Sequence, residues 1–197
     1  NIAVMNNLAN VYKNIGEIQL SENLFQKIIN RKPDYVNAYI NLGNLKRDNN
    51  DFEEAINLYK KALTINDKAS VTLYSLALAY QGLGKFDLAI SYAKKTLAVD
   101  PKFTQADMLI SQSSKYKIGD EHFIGMNSKL NNLEINKQQK INLLFALAKA
   151  SEDMGEVDKS FEYLDRGNLL KRSTIDFNIN KEIKFFNEIK KIFTEID

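Results

Sequence analysis

The chain contains 197 residues, of which 44% are hydrophobic and 26% are charged, and this is enough for one globular domain with a sizeable core. Its formal net charge of +2 is too small to suggest a nucleic-acid partner, and no apolar run is long enough to suggest a membrane partner. The absence of cysteine excludes disulfides and thiol chemistry, and it fits the cytoplasmic location that we expect.

A period of 34 residues organises the first half of the chain. A leucine followed by a small residue recurs with this period at Leu8, Leu42 and Leu76. Each leucine lies in the first of two stretches whose apolar residues recur at helical spacing. The period therefore predicts three helix pairs, at residues 2–35, 36–69 and 70–103.

The turns between the two helices of each pair follow the same period. Gly16, Asn50 and Gly84 occupy equivalent positions there. A left-handed residue is often needed in such a turn, and glycine adopts this conformation without a Cβ clash, while asparagine tolerates it better than most residues. We therefore expect a positive φ at all three positions.

This pattern resembles the tetratricopeptide repeat, a helix–turn–helix unit of about 34 residues. The resemblance implies an all-α helical solenoid, in which a single repeat cannot bury its apolar faces and stacking buries a continuous core. We expect one solenoid over residues 1–197, with about five helix pairs and a C-terminal capping helix.

The pattern weakens in the fourth repeat, which we place at residues 104–140. Its first helix is predicted from Ala106 to Lys117. An atypical second helix is predicted from about Glu121 to Asn131, and a loop follows it. We therefore expect a degenerate repeat here.

The register then shifts by three residues, and a fifth repeat is predicted at residues 141–174. A last helix is predicted at 178–196, because apolar residues recur there at helical spacing. These residues are Ile179, Ile183, Phe186, Ile189, Ile192 and Phe193. We expect this helix to cap the open end of the stack.

The C-terminal part of the chain, from about residue 104, resembles the region that precedes the catalytic domain in bacterial tetratricopeptide-repeat sulfotransferases. The matching residues are Phe145, Ala146, Leu147, Lys149, Ala150, Asp153, Gly155, Phe161, Gly167, Asn168 and Arg172. The resemblance implies a sulfotransferase parent, of which this chain is a non-catalytic N-terminal region. Because Asn1 already falls at the start of a repeat, we expect the chain to be part of a longer protein.

We predict no catalytic, cofactor-binding or metal-binding residue in this chain. His122 is the only histidine, and we interpret it as structural, since Glu121 beside it suits the start of a helix. The sequence contains no cluster with metal-ligand spacing, no Ser/His/Asp set and no Gly-rich phosphate loop. We therefore do not expect the chain to be an enzyme by itself.

The family resemblance implies a concave groove that is lined by the first helix of each repeat. The groove positions hold Asn7, Asn10, Asn37, Ile40, Asn41, Asn44, Arg47, Tyr74, Ser75 and Leu78, with Asn6, Lys13 and Gln81 beside them. An asparagine amide can both donate and accept, so it can pair with the backbone of an extended peptide. The apolar side chains in the set can anchor a peptide side chain.

The function predicted from this groove is that of a scaffold that binds a protein or peptide. Two alternatives remain open: self-association through the N-terminal helix face at 2–11, and structural support for the parent's own catalytic domain. A clamp for chaperone C-terminal carboxylates is not expected, because Asn6, Val71 and Ser75 occupy the positions of its basic residues.

Overall fold

The computed structural model describes residues 1–132, 134–175 and 179–194, and over these residues the chain forms helices and no strands. The helices are α1 (Ile2–Asn14), α2 (Ile18–Arg31), α3 (Val36–Asp48), α4 (Phe52–Ile65), α5 (Ser70–Gly82), α6 (Phe86–Val99), α7 (Thr104–Ser113), α8 (Glu121–Asn132), α9 (Lys137–Asp153), α10 (Val157–Arg172) and α11 (Ile179–Thr194). None of these helices is long and apolar enough to cross a membrane. The all-α prediction is confirmed.

Short turns join the two helices of each of the first three pairs. The predicted left-handed residues have φ values of 83° at Gly16, 63° at Asn50 and 69° at Gly84. In the second pair, the N–H of Asp51 donates to the carbonyl of Lys46 at 2.9 Å, and an equivalent bond closes the other two turns. The chain therefore reverses over a few residues, and the two helices of a pair pack side by side.

The helices of the second pair approach each other closely at Gly43. A Cβ atom placed there would lie 2.6 Å from Cε1 of Tyr59, whose side chain is fully buried. On the facing helix, Ala55 and Ala62 are also fully buried. Small residues thus permit the close approach, as predicted, because a bulkier side chain would hold the helices apart.

Successive pairs stack through alternating helices, so that α2 packs on α3, α4 on α5 and α6 on α7. The first helices also contact one another, α1 with α3, α3 with α5 and α5 with α7. We infer that they form the inner layer of the stack, since elements on the inside of a curve lie closer together. One core cluster includes Phe25 and Leu45, and the next includes Tyr59, Leu76 and Leu109.

The first helix of the fourth repeat is shorter than predicted, because α7 ends four residues before Lys117. The segment after it is held by α9. The N–H of Tyr116 donates to Oδ2 of Asp153 at 3.1 Å, and Nζ of Lys149 donates to the carbonyl of Ser114 at 2.5 Å. These bonds give the Ser114 carbonyl and the Tyr116 N–H partners on α9 in place of partners within α7, and α7 therefore ends early.

The first helix of the fifth repeat extends beyond the start predicted for that repeat near Ile141, because α9 begins at Lys137. The Asn136 side chain accepts from the N–H of Gln139 at 2.9 Å, and the Gln139 side chain accepts from the N–H of Asn136 at 2.8 Å. The first N–H groups of a helix have no hydrogen-bond partner within the helix, and this capping box supplies partners for two of them. It therefore adds one turn to the helix before the repeat register begins.

The fourth repeat is also rearranged. In the first three repeats each second helix packs on the first helix that follows it, but α9 packs directly on α7, which is itself a first helix. The displaced α8 packs against α9. A third core cluster, which includes Tyr116, Met126, Leu143 and Leu147, fills this region. The degenerate sequence thus corresponds to a changed packing order.

The last helix, α11, lies within the predicted range 178–196, of which residues 178, 195 and 196 fall outside the described part of the chain. Its apolar side chains are exposed, by 55% at Ile179, 52% at Ile183 and 64% at Phe186. A helix that caps the stack would bury them. The structure therefore does not show the cap, which stays a prediction.

Candidate functional site

The predicted groove residues lie on α1, α3 and α5, the helices of the inner layer. Two of them are exposed and seven are partly exposed; together they are Asn7, Asn10, Asn37, Ile40, Asn41, Asn44, Arg47, Tyr74 and Leu78. We call these nine residues the inner surface. Their spacing of three, four and seven positions along each helix brings them to one side of it.

Ser75 is the predicted residue that does not belong to this surface, because only 5% of it is exposed. Its side chain lies close to Tyr59, which comes from the preceding helix α4. Ser75 therefore contributes to the contact between α4 and α5, and a ligand on the inner surface would not reach it.

Two asparagines of the inner surface are held by hydrogen bonds within the chain. Nδ2 of Asn41 donates to Oδ1 of Asn6 at 2.9 Å, which links α3 to α1. The hydroxyl of Tyr59 donates to Oδ1 of Asn44 at 2.8 Å. Asn41 thus keeps its carbonyl oxygen as an acceptor, and Asn44 keeps its amide group as a donor. The two side chains offer complementary groups in fixed orientations.

An ion-pair cluster lies next to these asparagines. Nζ of Lys13 is 2.5 Å from Oδ2 of Asp48, and the guanidinium of Arg47 is 3.0 Å from Oδ1 of the same residue. Partial burial works to raise the pKa of Asp48, but hydrogen bonds from Lys13 and Arg47 outweigh it and hold the pKa below its usual range. Two cations around one anion leave a single excess positive charge.

Asp48 is a residue of the site that sequence reasoning does not single out. It ends α3 just before the turn, where an acidic residue is common and needs no functional explanation. The pairing with Lys13 joins residues of two different repeats. Only the stacking of α1 beside α3 brings them together.

The apolar part of the inner surface centres on Tyr74. Its ring packs against Phe103, with 4.9 Å between the ring centroids. Burial raises the pKa of Tyr74, and nearby Arg47 offsets this only in part, so the hydroxyl is neutral at physiological pH. Ile40 and Leu78 are partly exposed on the helices beside it. This part can bury an apolar side chain of a ligand.

A second polar cluster lies where α7, α8 and α9 meet. Asp107 is fully buried; it accepts from Nζ of Lys129 at 2.7 Å and lies 3.1 Å from Nε2 of His122. The hydroxyl of Tyr116 lies 2.6 Å from Nδ1 of His122. A neutral His122 with its proton on Nε2 donates to Asp107 and accepts from Tyr116, and we assign this tautomer because it gives every donor an acceptor.

The arrangement around His122 resembles an acid–base set, but it is closed. Asp107 is completely buried and Tyr116 is 2% exposed, so a substrate would not reach the acid. Within the residues that the structure describes, no group of three His, Asp or Glu side chains can hold a metal ion. Asp107 is not predicted from the sequence, where its only signal is an acid on a largely apolar helix. The cluster joins three helices.

The comparisons with known proteins concern the repeats. Family models described as tetratricopeptide repeat match residues 1–68 and residues 46–112. No curated protein matches the chain. A crystal structure of MamA protein has 15% identity and a TM-score of 0.67, with 90% of this chain and 96% of that chain covered.

Two other structures that are similar to this chain concern peptide binding. YrrB, described as a TPR protein with an unusual peptide-binding site, has 17% identity and a TM-score of 0.62, and 87% of each chain is covered. The first TPR of Spaghetti (RPAP3), bound to an HSP90 peptide, has 16% identity and a TM-score of 0.55, with 57% of this chain and 89% of that chain covered. At these identities the likeness shows the fold alone.

The two family matches together span residues 1–112, more than half of the chain. They cover the three regular helix pairs and the helix that follows them. Repeat period, left-handed turns and layered packing all agree with the matches. The chain therefore belongs to the tetratricopeptide repeat proteins.

Proposed function

We propose that the inner surface binds an extended segment of a protein or peptide. The observation that carries the proposal is the pair Asn41 and Asn44, whose amides are fixed by Asn6 and by Tyr59. One offers an acceptor and the other a donor, and an extended backbone offers both kinds of group in alternation. Because the side chains are already oriented, little conformational entropy is lost on binding.

The neighbouring groups support the same proposal. Tyr74 with Ile40 and Leu78 provides an apolar area for one anchoring side chain of the ligand. The cluster of Lys13, Arg47 and Asp48 adds one excess positive charge, which favours a segment with an acidic residue there. The peptide-binding site described for YrrB and the HSP90 peptide bound to the first TPR of RPAP3 are consistent with this role.

The proposal is tested by selecting peptides from a displayed random library and measuring the binding of those recovered. Asn41→Ala with Asn44→Ala should weaken binding about thirtyfold, because two hydrogen bonds of about 1 kcal/mol each are lost. Asn57→Ala, an exposed change on α4, is the matched control and should bind normally. Unchanged binding by the double variant, with unchanged helicity, would refute the role of the asparagines.

Self-association is a second candidate function, and α1 provides the observation for it. Val4, Leu8 and Val11 form an exposed apolar stripe on this helix, and Ile15 continues it just after the helix ends, with 42% to 65% of each residue exposed. The equivalent residues of α3, one period later, include Ala38, Leu42 and Leu45, which are at most 2% exposed because α2 covers them. Light scattering over a range of concentrations tests this candidate, and a monomer throughout would exclude it.

A narrower proposal concerns the parent protein. We infer from the resemblance of residues 104–197 that these repeats precede a sulfotransferase domain, which they support or for which they hold a large acceptor. The support is that resemblance alone. The sequence encoded after Asp197 tests it, since a strand, a phosphate-binding loop and a helix are expected there.

The absence of cysteine supports a cytoplasmic location for the protein.

A further inference from the structure

A cleft lies beside the rearranged fourth repeat, between the C-terminal halves of α8 and α10 and the first half of α9. Its volume is about 480 Å³, which is within the usual range of ligand pockets. Most of its lining consists of four leucines and two cations, which are Leu130, Leu144, Leu169, Leu170, Lys140 and Arg166. We call these six residues the α8–α10 cleft. None of them belongs to the inner surface.

The displacement of α8 accounts for this cleft. The Tyr163 hydroxyl of α10 donates to Oδ1 of Asn127 on α8 at 2.7 Å, which joins the two helices at this point. Leu130 and Arg166 each come three residues later, almost one turn further along their helices. The hydrogen bond thus closes one end of the cleft, and the side chains beyond it line the open part.

The leucines make the floor of the cleft apolar. Leu144 of α9 is 4% exposed, whereas Leu169 of α10 is 63% exposed. Leu130 and Leu170 are partly exposed. A large apolar side chain placed against these leucines would remove their exposed surface from water, which is favourable in proportion to the area removed.

The charge of the cleft is positive. Lys140 and Arg166 come from different helices, and no acid lines the cleft among the residues that the structure describes. Cζ of Arg166 is 5.9 Å from the centroid of the Tyr163 ring, and Nη1 is 3.3 Å from Oε1 of the exposed Glu162. This exposed ion pair is weak and uses one of five N–H donors, so Arg166 can also bind a carboxylate of a ligand. Lys140 forms no ion pair within the described part of the chain.

The open shape of the cleft favours a polypeptide over a free fatty acid. Because Leu169 at its edge is largely exposed, the cleft is open to water along one side. The hydrocarbon tail of a fatty acid would stay partly in water there. A polypeptide can instead insert one apolar side chain and keep its polar backbone at the open side, where water supplies hydrogen-bond partners.

We propose that the α8–α10 cleft binds an acidic segment of a partner protein, in which one large apolar side chain lies between aspartate or glutamate residues. The apolar side chain contacts the four leucines. The flanking carboxylates pair with Lys140 on α9 and with Arg166 on α10. Apolar contact supplies most of the affinity, and the two cations select acidic segments. The cleft is separate from the inner surface, so the proposal does not depend on peptide binding there.

Two fluorescent peptides test the proposal. Each contains a leucine in a Gly/Ser background, and this leucine lies between glutamates in one peptide and between lysines in the other. Fluorescence anisotropy should show at least about tenfold tighter binding of the acidic peptide to the natural chain, and added salt should reduce this preference. Equal affinities of the two peptides would refute the selection of acidic segments.

Charge reversal in the cleft provides a matched pair of variants. Lys140→Glu with Arg166→Glu should weaken binding of the acidic peptide at least about tenfold and should strengthen binding of the lysine peptide, because attraction becomes repulsion. Lys60→Glu with Lys61→Glu, at exposed sites on α4, makes the same change in net charge and should alter the affinity for the acidic peptide less than about threefold. Equal losses in the two variants would mean that only net charge matters, and would overturn the proposal.

Leu169→Gln tests the apolar part of the cleft. Because Leu169 is 63% exposed, the change should leave the fold intact, and we expect it to weaken binding of the acidic peptide about fivefold. Unchanged affinity in this variant and in the charge-reversed variant would show that the peptide does not bind in the cleft.

Three further outcomes would assign the cleft or the peptide differently and would overturn the proposal. Loss of binding in Asn41→Ala with Asn44→Ala, but not in the charge-reversed variant, would place the peptide on the inner surface. Dimers that form with rising concentration and are abolished by charge reversal would mean that a second copy occupies the cleft. Shifted amide NMR signals of α11 in Leu169→Gln would mean that the last helix of the same chain covers it.

Discussion

The side chain of Tyr59 belongs both to the core and to the inner surface. Its ring is fully buried against Gly43, and its hydroxyl reaches Asn44 at 2.8 Å. Burial raises the pKa of Tyr59 to about 12, so the hydroxyl stays protonated and remains a donor. One residue thus fixes the distance between two helices and the orientation of a candidate binding group.

Gly43→Ala should destabilise the protein by about 1–2 kcal/mol. The new Cβ would overlap the Tyr59 ring, which costs about 1–3 kcal/mol, while the better helix propensity of alanine returns up to about 1 kcal/mol. Because its hydroxyl is bonded to Asn44, the ring cannot swing away without losing that bond as well. Urea unfolding measures the change.

Gly125→Ala is the matched control for this prediction. Gly125 is also inside a helix, α8, but nothing lies within 4 Å of the position of its Cβ atom. The change should therefore stabilise the protein by about 0.5–1 kcal/mol. Similar effects of the two substitutions would show that Tyr59 does not limit the approach of the helices.

Polar contacts link α8 to two neighbouring helices, α7 and α10. Lys129 and His122 on α8 meet the buried Asp107 of α7, and Asn127 accepts from the Tyr163 hydroxyl of α10 at 2.7 Å. Hydrogen bonds require defined geometry, whereas apolar contact tolerates sliding. We infer that these bonds fix α8 in its unusual place.

Asp107→Asn should destabilise the protein by about 2–3 kcal/mol, because Lys129 would lose the anion that balances it. This loss of stability is smaller than is usual when a buried ion pair is broken, because 18% of the Lys129 side chain is exposed and can reach water. Urea unfolding and amide exchange in α8 measure the effect. Asp165→Asn, at an exposed site on α10, is the control and should change stability by less than about 0.5 kcal/mol.

Asp153 at the end of α9 predicts how stability depends on pH. Burial alone would raise its pKa, but the Lys149 ammonium and the Tyr116 N–H lower it below the ordinary value of 3.8. Because the pKa of Asp153 is lower in the folded protein than in the unfolded chain, its charged carboxylate stabilises the fold at pH values above 3.8. This stabilisation is lost as the pH falls through the folded-state pKa. The free energy of unfolding should therefore start to fall below about pH 5 and should keep falling until the pH is below the folded-state pKa of Asp153.

The variant Asp153→Asn isolates this contribution. It should be less stable than the natural protein near neutral pH, and its loss of stability on acidification should be smaller. Urea unfolding at several pH values measures both effects. The pKa of Asp48 is also lowered, and Asp48 contributes equally to the pH dependence of stability in both proteins. Parallel pH profiles for the two proteins would contradict the role of Asp153.

Across the whole molecule, stability should vary along the stack. α5 packs between α4 and α6, while α1 has α2 and α3 as neighbours on one side only and exposes its apolar stripe on the other. In a repeat protein each unit is held by its nearest neighbours. We therefore expect backbone amides of α1 to exchange with solvent at least about tenfold faster than those of α5. Uniform exchange rates would indicate a single cooperative unit.

The sequence by itself determined the regular part of this protein. The period of 34 residues located three helix pairs, and Gly16, Asn50 and Gly84 marked the turns that have positive φ. These features follow from local rules, because helix periodicity and left-handed turns depend on residues close together in the chain. The same periodicity placed most of the inner surface, since one helix side is read from spacing alone.

Only the tertiary structure decided the rest. The early end of α7 at Ser113, the displacement of α8, the burial of Ser75 and the fixed orientations of Asn41 and Asn44 were not readable from the repeat. Each depends on a contact between different helices, such as Asn41 with Asn6 or Tyr116 with Asp153. Spacing along one helix carries no information about which residue of another helix will lie opposite.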